Sequence, residues 1–316
     1  MNPVHSDPPG ERYGLFLPPE SSGCTKSGGK VCLLLWALCC ILYAYKSAIR
    51  AGTAEIMEEI MEQQIVGIVM PAYNAEGFIG EAIRSVLEQD YPHWLLFVCD
   101  DGSRDGTKQI VEGFARQDPR IRWIESAEGN TGVCGARRRG IRAAQTPWVA
   151  FLDSDDRWLP DKLSSQLAAV TEAGCGFSFT ASGFLDEHGA VKAHVMHVPE
   201  RLDYHALLKQ NVISCSSVLI RRELLEGSFT EEDAKVCEDF AVWIRILRDR
   251  EPYALGIDRP LLQYRLLSGS LSSNKIKNAC KVFLTYRACG VPLMASVAAW
   301  IQYVLRSVLK YGQIDG

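Results

Sequence analysis

Between Trp148 and Asp156 five largely apolar residues, Trp148-Val149-Ala150-Phe151-Leu152, run straight into Asp153-Ser154-Asp155-Asp156. A short apolar run bounded by polar residues reads as a buried strand. The end of such a strand delivers its acids to one edge of a sheet, where open α/β folds bind ligands. Three carboxylates within four positions repel one another, an arrangement that makes sense if a divalent cation sits among them. Taken alone, a solvated acidic turn explains the same residues equally well.

The chain has 316 residues, 47% of them hydrophobic and 23% charged, enough for one large α/β domain with appendages and a real core. A net charge of -4 supplies no global basic field for nucleic acid. The 11 cysteines are odd in number and contain no CxxC pair, which points to a reducing compartment rather than a disulfide framework or zinc site.

Residues 1–30, with Pro8-Pro9-Gly10, Pro18-Pro19 and Ser27-Gly28-Gly29, read as disordered. Residues 31–50 hold the apolar run Val31–Tyr45 between Lys30 and Lys46. That run is shorter than the ~20 residues of a spanning helix. It is also too far from Met1 for an ordinary signal peptide. A short membrane anchor, an interfacial helix, and sequence upstream of the native start (Met57 and Met61 follow) remain open.

From Gln64 the pattern changes to alternation. Ile65–Met70, Trp94–Cys99, Ile121–Ile124 and Trp148–Leu152 read as strands. Helical spacing fills the intervals at 78–87, 106–117 and 136–144. This order predicts right-handed crossovers and an α/β fold with a mostly parallel central sheet flanked by helices, over residues 64–275. Further on, a helix is expected from Pro160 to Ala173 and another over Glu238–Arg248. Strands are expected near 176–181, 191–197, 216–221, 255–257 and 262–266. The tail, residues 276–316, is helical in pattern and mixes Lys281, Arg287, Arg306 and Lys310 with Trp300, Tyr303 and Tyr311. That mixture suits an amphipathic helix pair at a membrane interface, the preferred reading over a hairpin packed on the domain.

Three polar motifs close three of these strands: Pro71-Ala72-Tyr73-Asn74, Asp100-Asp101-Gly102-Ser103 and Asp153-Ser154-Asp155-Asp156. In a parallel sheet all three reach the same carboxyl edge and converge on one cleft. With Gly135-Ala136-Arg137-Arg138-Arg139-Gly140, Trp158–Leu163 and Cys237-Glu238-Asp239, the chain resembles the family 2 inverting glycosyltransferases of GT-A fold over residues 65 to about 275. It is most similar to bacterial members that build surface polysaccharide of the O-antigen or teichuronic acid kind.

The resemblance implies a nucleotide-sugar donor, a UDP-sugar, a Mn²⁺ or Mg²⁺ ion and a separate acceptor site for a lipid-linked saccharide. It places Tyr73 against the uracil ring, Asp101 on the uracil N3–H, and Asp100 on the loop or the ribose. Pro71, Asn74 and Ser154 complete the donor-binding set, and Arg137 faces the nucleotide or its phosphates. Arg138 stands where relatives carry asparagine, while Arg139 and Arg142 are expected at the solvent. Asp153 and Asp155 form the DxD pair, with Asp155 the principal metal ligand and Asp153 shared between metal and donor; Asp156 orients the chain. Asp239 is the expected base, and Glu238 orients it or meets the acceptor, at a helix start that would also favour acids for its dipole alone. Trp243 belongs to the acceptor wall or to the core. Arg265 or Ser270 is expected at the phosphates. The expected location is the cytoplasmic face of the inner membrane, peripheral or with a marginal N-terminal anchor.

Other classes fit less well. A dinucleotide oxidoreductase needs GxGxxG after the first strand, where Pro71-Ala72-Tyr73-Asn74 stands instead. An aspartate-based phosphatase needs Thr or Val where Asp156-Arg157 follows the DxD pair. A degenerate nucleotide-sugar-binding subunit of an assembly complex is the non-enzyme alternative, against which Asp101, Asp155 and Asp239 all stand intact.

Overall fold

The computed structural model describes residues 64–267 and 275–311. The segments 1–30 and 31–50, the loop around Ser270 and the last five residues lie outside them.

The central strand β1 (Val66–Ala72) is buried along its whole length. It pairs in parallel with β2 (Trp94–Asp100) on one side and β4 (Trp148–Phe151) on the other. The third expected strand, β3 (Ile121–Ile124), extends the sheet beyond β2. Helices α1 (Ile79–Leu87), α2 (Thr107–Ala115) and α3 (Gly132–Ala143) make the connections. Because apolar side chains cover both faces, β1 is continuously hydrophobic rather than alternating. Ile68 and Met70 join one core with Ile83 and Leu96, and Val69 joins the other with Phe97 and Phe151.

Along the sheet the strand order is β3-β2-β1-β4, then β9 (Leu219–Arg221), β6 (Phe177–Leu185), β10 (Ala254–Arg265) and β5 (Arg157–Trp158), with two further strands pairing off this path. The chain builds outward from β1 to β3, then returns to place β4 on the opposite flank. That reversal opens a crevice beyond the carboxyl ends of β1 and β4. The second half is mixed. After β5 (Arg157–Trp158) and α4 (Lys162–Ala173) come β6 (Phe177–Leu185), β7 (Val191–Met196), β8 (Arg201–Leu202), α5 (Tyr204–Lys209) and β9 (Leu219–Arg221). Strand β9 runs antiparallel to both β4 and β6. Strand β6 therefore points the same way as β4, and so does β10 (Ala254–Arg265), its parallel partner. Their ends, Leu185 and Arg265, arrive at the same edge as the three polar motifs.

The two strands expected at 255–257 and 262–266 are one strand, β10. Its register with β6 slips between Ile257 and Pro260 and again before Leu262. Pro260 has no N–H to give the ladder, which suits such an irregularity. The strand expected at 216–221 forms only from Leu219, after a 3₁₀ turn over Cys215–Ser217.

Helix α6 (Arg222–Leu225) is a single turn, and α7 (Glu238–Asp249) buries Phe240, Trp243, Ile244 and Leu247. Trp243 lies between Phe151 and Phe177 at ring distances of 6.1 and 5.1 Å and is wholly buried, so it belongs to the core.

The tail is a helix pair, α8 (Lys275–Ala288) and α9 (Leu293–Tyr311). One side of it packs on the domain. Val282, Tyr286 and Cys289 enter the core, and the Tyr286 hydroxyl donates to Leu208 O at 2.6 Å. The Cys237 N–H, just before α7, donates to Thr285 Oγ1 at 3.1 Å. The other side leaves Leu293, Met294, Val297, Ile301 and Leu305 exposed. The side that enters the core matches the hairpin packed on the domain, the reading the sequence disfavoured. No helix among the described residues is long and apolar enough to cross a membrane.

Candidate active site

A cavity of ≈ 290 Å³ lies at the carboxyl edge, lined by residues of all three motifs: Pro71, Tyr73 and Asn74, then Asp101, then Asp153, Ser154 and Asp155. Phe78, Val133 and Leu267 complete its apolar wall. Tyr73, just past the end of β1, is 51% exposed and lines the cavity, where a ligand can reach it. Asn74 has φ of 49°, in the left-handed region that asparagine tolerates better than most residues. There its Oδ1 accepts from Arg104 N at 2.9 Å while its own N–H donates to Ser103 Oγ at 3.0 Å. The β1 and β2 loops are therefore locked together.

Asp100 and Asp101 divide the work of the second motif. Asp100 is turned into its own loop, where Oδ2 accepts from Gly102 N at 3.0 Å and from Ser103 N at 3.1 Å. Asp101 reaches the cavity and also caps α3: its Oδ2 accepts from Gly132 N at 2.7 Å and its Oδ1 from Thr131 N at 2.9 Å. A carboxylate at a helix N-terminus satisfies orphan N–H groups and the dipole together. This long-range cap starts α3 at Gly132, four residues before the expected Ala136. It also draws Arg139 inward. Rather than facing solvent, Arg139 pairs with Asp101 Oδ1 at 3.0 Å.

Helix α3 lies unusually close to the sheet. A Cβ on Gly140 would come within 2.3 Å of Val69 Cγ1 and 2.8 Å of Cys99 Sγ. The close approach carries Arg137, one turn earlier, beneath the cavity. Arg137 is buried and donates to Asp153 Oδ1 at 2.6 Å and to Glu238 Oε1 at 2.7 Å. Where a contact with the nucleotide was expected, its guanidinium instead joins the DxD motif to the start of α7.

Asp239, beside Glu238, is pushed up to about 6 by burial and then by the charge of Glu238, against the pull of Arg137. Its Oδ1 accepts the Phe240 N–H at 2.7 Å.

Burial, then the charge of Asp153, raises Asp155 to about 6 as well. Asp156 is buried; burial and its two acidic neighbours hold its carboxyl well above the ordinary range. Its Oδ1 accepts from Arg265 N at 3.0 Å, tying the motif to the end of β10. Arg265, expected at the phosphates, is itself buried and donates through Nε to Asp155 O at 2.8 Å and through Nη2 to Glu81 Oε2 at 2.5 Å. Ser216 Oγ accepts from Asp153 N at 3.0 Å. Neither Ser216 nor Glu81 carries a local sequence signal, since each acts through chain more than sixty residues away.

Among the described residues no group of three or more His, Cys, Asp or Glu is placed to enclose a cation. Asp153 and Asp155 nevertheless fit one that keeps waters and substrate phosphates as its other ligands, as Mg²⁺ and Mn²⁺ do. Both are hard oxygen donors on the cavity wall, and the raised Asp155 marks negative charge that a cation would relieve.

A mostly parallel sheet with an acid-lined cavity at its carboxyl edge and a paired acid at a later helix start defines the GT-A class. The chain belongs to glycosyl transferase family 2, whose profile matches residues 67–229. It is 36% identical over 247 residues to TuaG of Bacillus subtilis, a glycosyltransferase named for teichuronic acid biosynthesis, covering 78% of this chain and 97% of that one. It is 36% identical over 217 residues to the Escherichia coli UDP-Glc:alpha-D-GlcNAc-diphosphoundecaprenol beta-1,3-glucosyltransferase WfgD, covering 69% and 83%. In fold it is similar to S. aureus TarS 1-349 crystallised in complex with UDP, at a TM-score of 0.57 and 19% identity over 76% of this chain and 70% of that one. It is also similar to the mannosyltransferase PcManGT of Pyrobaculum calidifontis in complex with GDP-Man and Mn²⁺, at 0.54 and 18% over 75% and 73%.

Proposed function

We propose that this chain is an inverting, metal-assisted hexosyltransferase that moves a sugar from a UDP-sugar to a lipid-linked saccharide in surface-polysaccharide synthesis, at the cytoplasmic face of the membrane. One observation carries the reading: Arg137 joins Asp153, on the cavity wall, to Glu238, next to the raised carboxyl of Asp239. A donor corner and a general base are thereby held as one rigid unit. The names of the relatives support the donor and the acceptor class.

In the reaction the acceptor hydroxyl oxygen attacks the anomeric carbon from the side opposite the diphosphate. The C–O bond to the β-phosphate breaks, UDP departs, and the hydroxyl proton passes to Asp239. Oδ1 of Asp239 is held by the Phe240 N–H, which leaves Oδ2 to take that proton. Glu238, anchored by Arg137, keeps the carboxyl aimed. Tyr73 stacks on the uracil and Asp101 accepts its N3–H. Asp155 and Asp153 would hold the Mn²⁺ or Mg²⁺ ion, which as a Lewis acid offsets charge on the leaving diphosphate. Pro71, Asn74, Asp100 and Ser154 shape the nucleotide loops.

The direct test incubates the protein and Mn²⁺ with a panel of UDP-sugars and a diphosphate-lipid-linked GlcNAc, and follows the acceptor by mass spectrometry. One UDP-sugar is expected to extend the lipid by one hexose. UDP release from several sugars with no extended lipid would sink the acceptor assignment.

The tail carries the enzyme to the surface where that acceptor lies. From Lys275 to Tyr311 the chain has six basic residues and no acidic one, although the whole protein is at -4. The exposed stripe of α9, with Met294 at 81% and Leu305 at 61%, adds the apolar contact. An apolar face with flanking cations suits an anionic lipid interface. Met294→Glu with Ile301→Glu in the full chain should abolish sedimentation with phosphatidylglycerol vesicles. Undiminished sedimentation of that variant would remove α9 as the contact.

A further inference from the structure

We propose that Arg139 is a positioning residue for nucleobase selection: by fixing the Asp101 carboxylate it sets the preference for a uracil nucleotide over a cytosine one. The proposal rests on the reading above that Asp101 meets the donor's base.

Asp101 is 3% exposed yet contributes to the cavity wall beside Tyr73. Four donors surround it. Oδ1 accepts from Thr131 N at 2.9 Å, Thr131 Oγ1 at 2.8 Å and Arg139 Nη2 at 3.0 Å, while Oδ2 accepts from Gly132 N at 2.7 Å. A carboxylate offers about four acceptor sites. Oδ1 is crowded, so the remaining capacity lies on Oδ2. A group in this setting acts purely as an acceptor. Uracil presents an N3–H to it; cytosine presents a lone pair at N3. A site built around one hydrogen bond rejects an analogue that cannot make it far more strongly than an apolar pocket would.

Arg139 is what holds Asp101 in that posture. Its Nη1 donates to Thr131 Oγ1 at 2.6 Å, and its Nη2 donates to both Asp100 O at 2.8 Å and Asp101 Oδ1. One planar fork therefore ties the end of β2 to the turn before α3, a task for which a lysine ammonium lacks the geometry. Without it Asp101 keeps its bonds to Thr131 and Gly132 but loses its partner on the far side, and the carboxylate turns toward the helix. Arg139 Nε is buried without a hydrogen-bond partner, a cost that packing alone does not explain.

The test uses the full chain and calorimetry with UDP and with CDP, each with Mn²⁺, on the parent, Arg139→Gln and Arg139→Lys. Thermal melting reports folding. The parent is expected to prefer UDP. Arg139→Gln should weaken UDP by about tenfold and leave CDP unchanged, so that the ratio of the two affinities collapses. Arg139→Lys retains the charge and stem, serves if the glutamine variant fails to fold, and should lose about threefold of the ratio. Equal weakening of UDP and CDP in a folded variant would show that Arg139 only braces the loop, and overturns the proposal. A parent that binds UDP and CDP equally overturns instead the reading of Asp101 on which it rests.

Discussion

Asp239→Asn should lower the rate of sugar transfer by about 10²–10⁴-fold, the usual contribution of a positioned general base, while UDP binding stays intact. Asparagine keeps the shape and can still accept the Phe240 N–H that holds Oδ1. It cannot take the proton of an attacking hydroxyl. The parent enzyme should also show an acidic limb in kcat/KM centred near 6, the value to which burial and Glu238 raise this carboxyl. The sign follows from the role: the base works deprotonated, so activity rises with pH through about 6 and levels off above it. Below the limb the rate should fall tenfold per pH unit. With Mn²⁺ saturating, so that Asp155 stays ionised, the asparagine variant should lose that limb. Calorimetry with UDP and an initial-rate series from pH 5 to 8 measure both effects. Wild-type activity in the variant would remove Asp239 from the chemistry.

Asp155→Ala should abolish the gain in UDP affinity that Mn²⁺ confers on the parent, an effect of at least about tenfold, or ~1.4 kcal/mol. The backbone oxygen of Asp155 is fastened by Arg265 Nε, and the residue lies on the cavity wall beside Asp153. The metal-free protein should not lose stability with the substitution. A carboxyl raised from 3.8 to about 6 binds its proton more tightly folded than unfolded. It therefore favours the fold at low pH, and that advantage is lost as pH rises through 6. At pH 7 without a cation it opposes the fold. The alanine variant should melt no lower than the parent in chelator, and should no longer gain melting temperature when Mn²⁺ and UDP are added together. Unchanged Mn²⁺-dependent UDP affinity would shift the metal contact to Asp153 alone.

The strands β1, β2 and β4 were legible as local apolar runs, and so was the convergence of Tyr73, Asp101 and Asp155. Parallel pairing makes the carboxyl ends of neighbouring strands coincide once the alternation of strand and helix is recognised. The acid at the start of α7 was legible only through the family resemblance, since an acidic first turn by itself is explained by the helix dipole. Its surroundings were not. Arg137 was placed on the donor side by the family resemblance, and arginine in a basic helix gives no hint of its partners. Only the packing of Gly140 against Val69 brings it under Asp153 and Glu238. The start of α3 was misplaced because its cap, Asp101, lies thirty positions upstream.

The sequence by itself therefore determined the fold class, the edge on which the site lies and the residue types available to it, because periodicity and strand termini are local properties. Only the tertiary structure decided which charges neutralise which. Arg139 serves Asp101, Arg265 serves Glu81, and Arg137 serves two motifs at once. A buried ion pair is chosen by three-dimensional proximity and by the cost of leaving a charge alone, neither of which has a spacing along the chain.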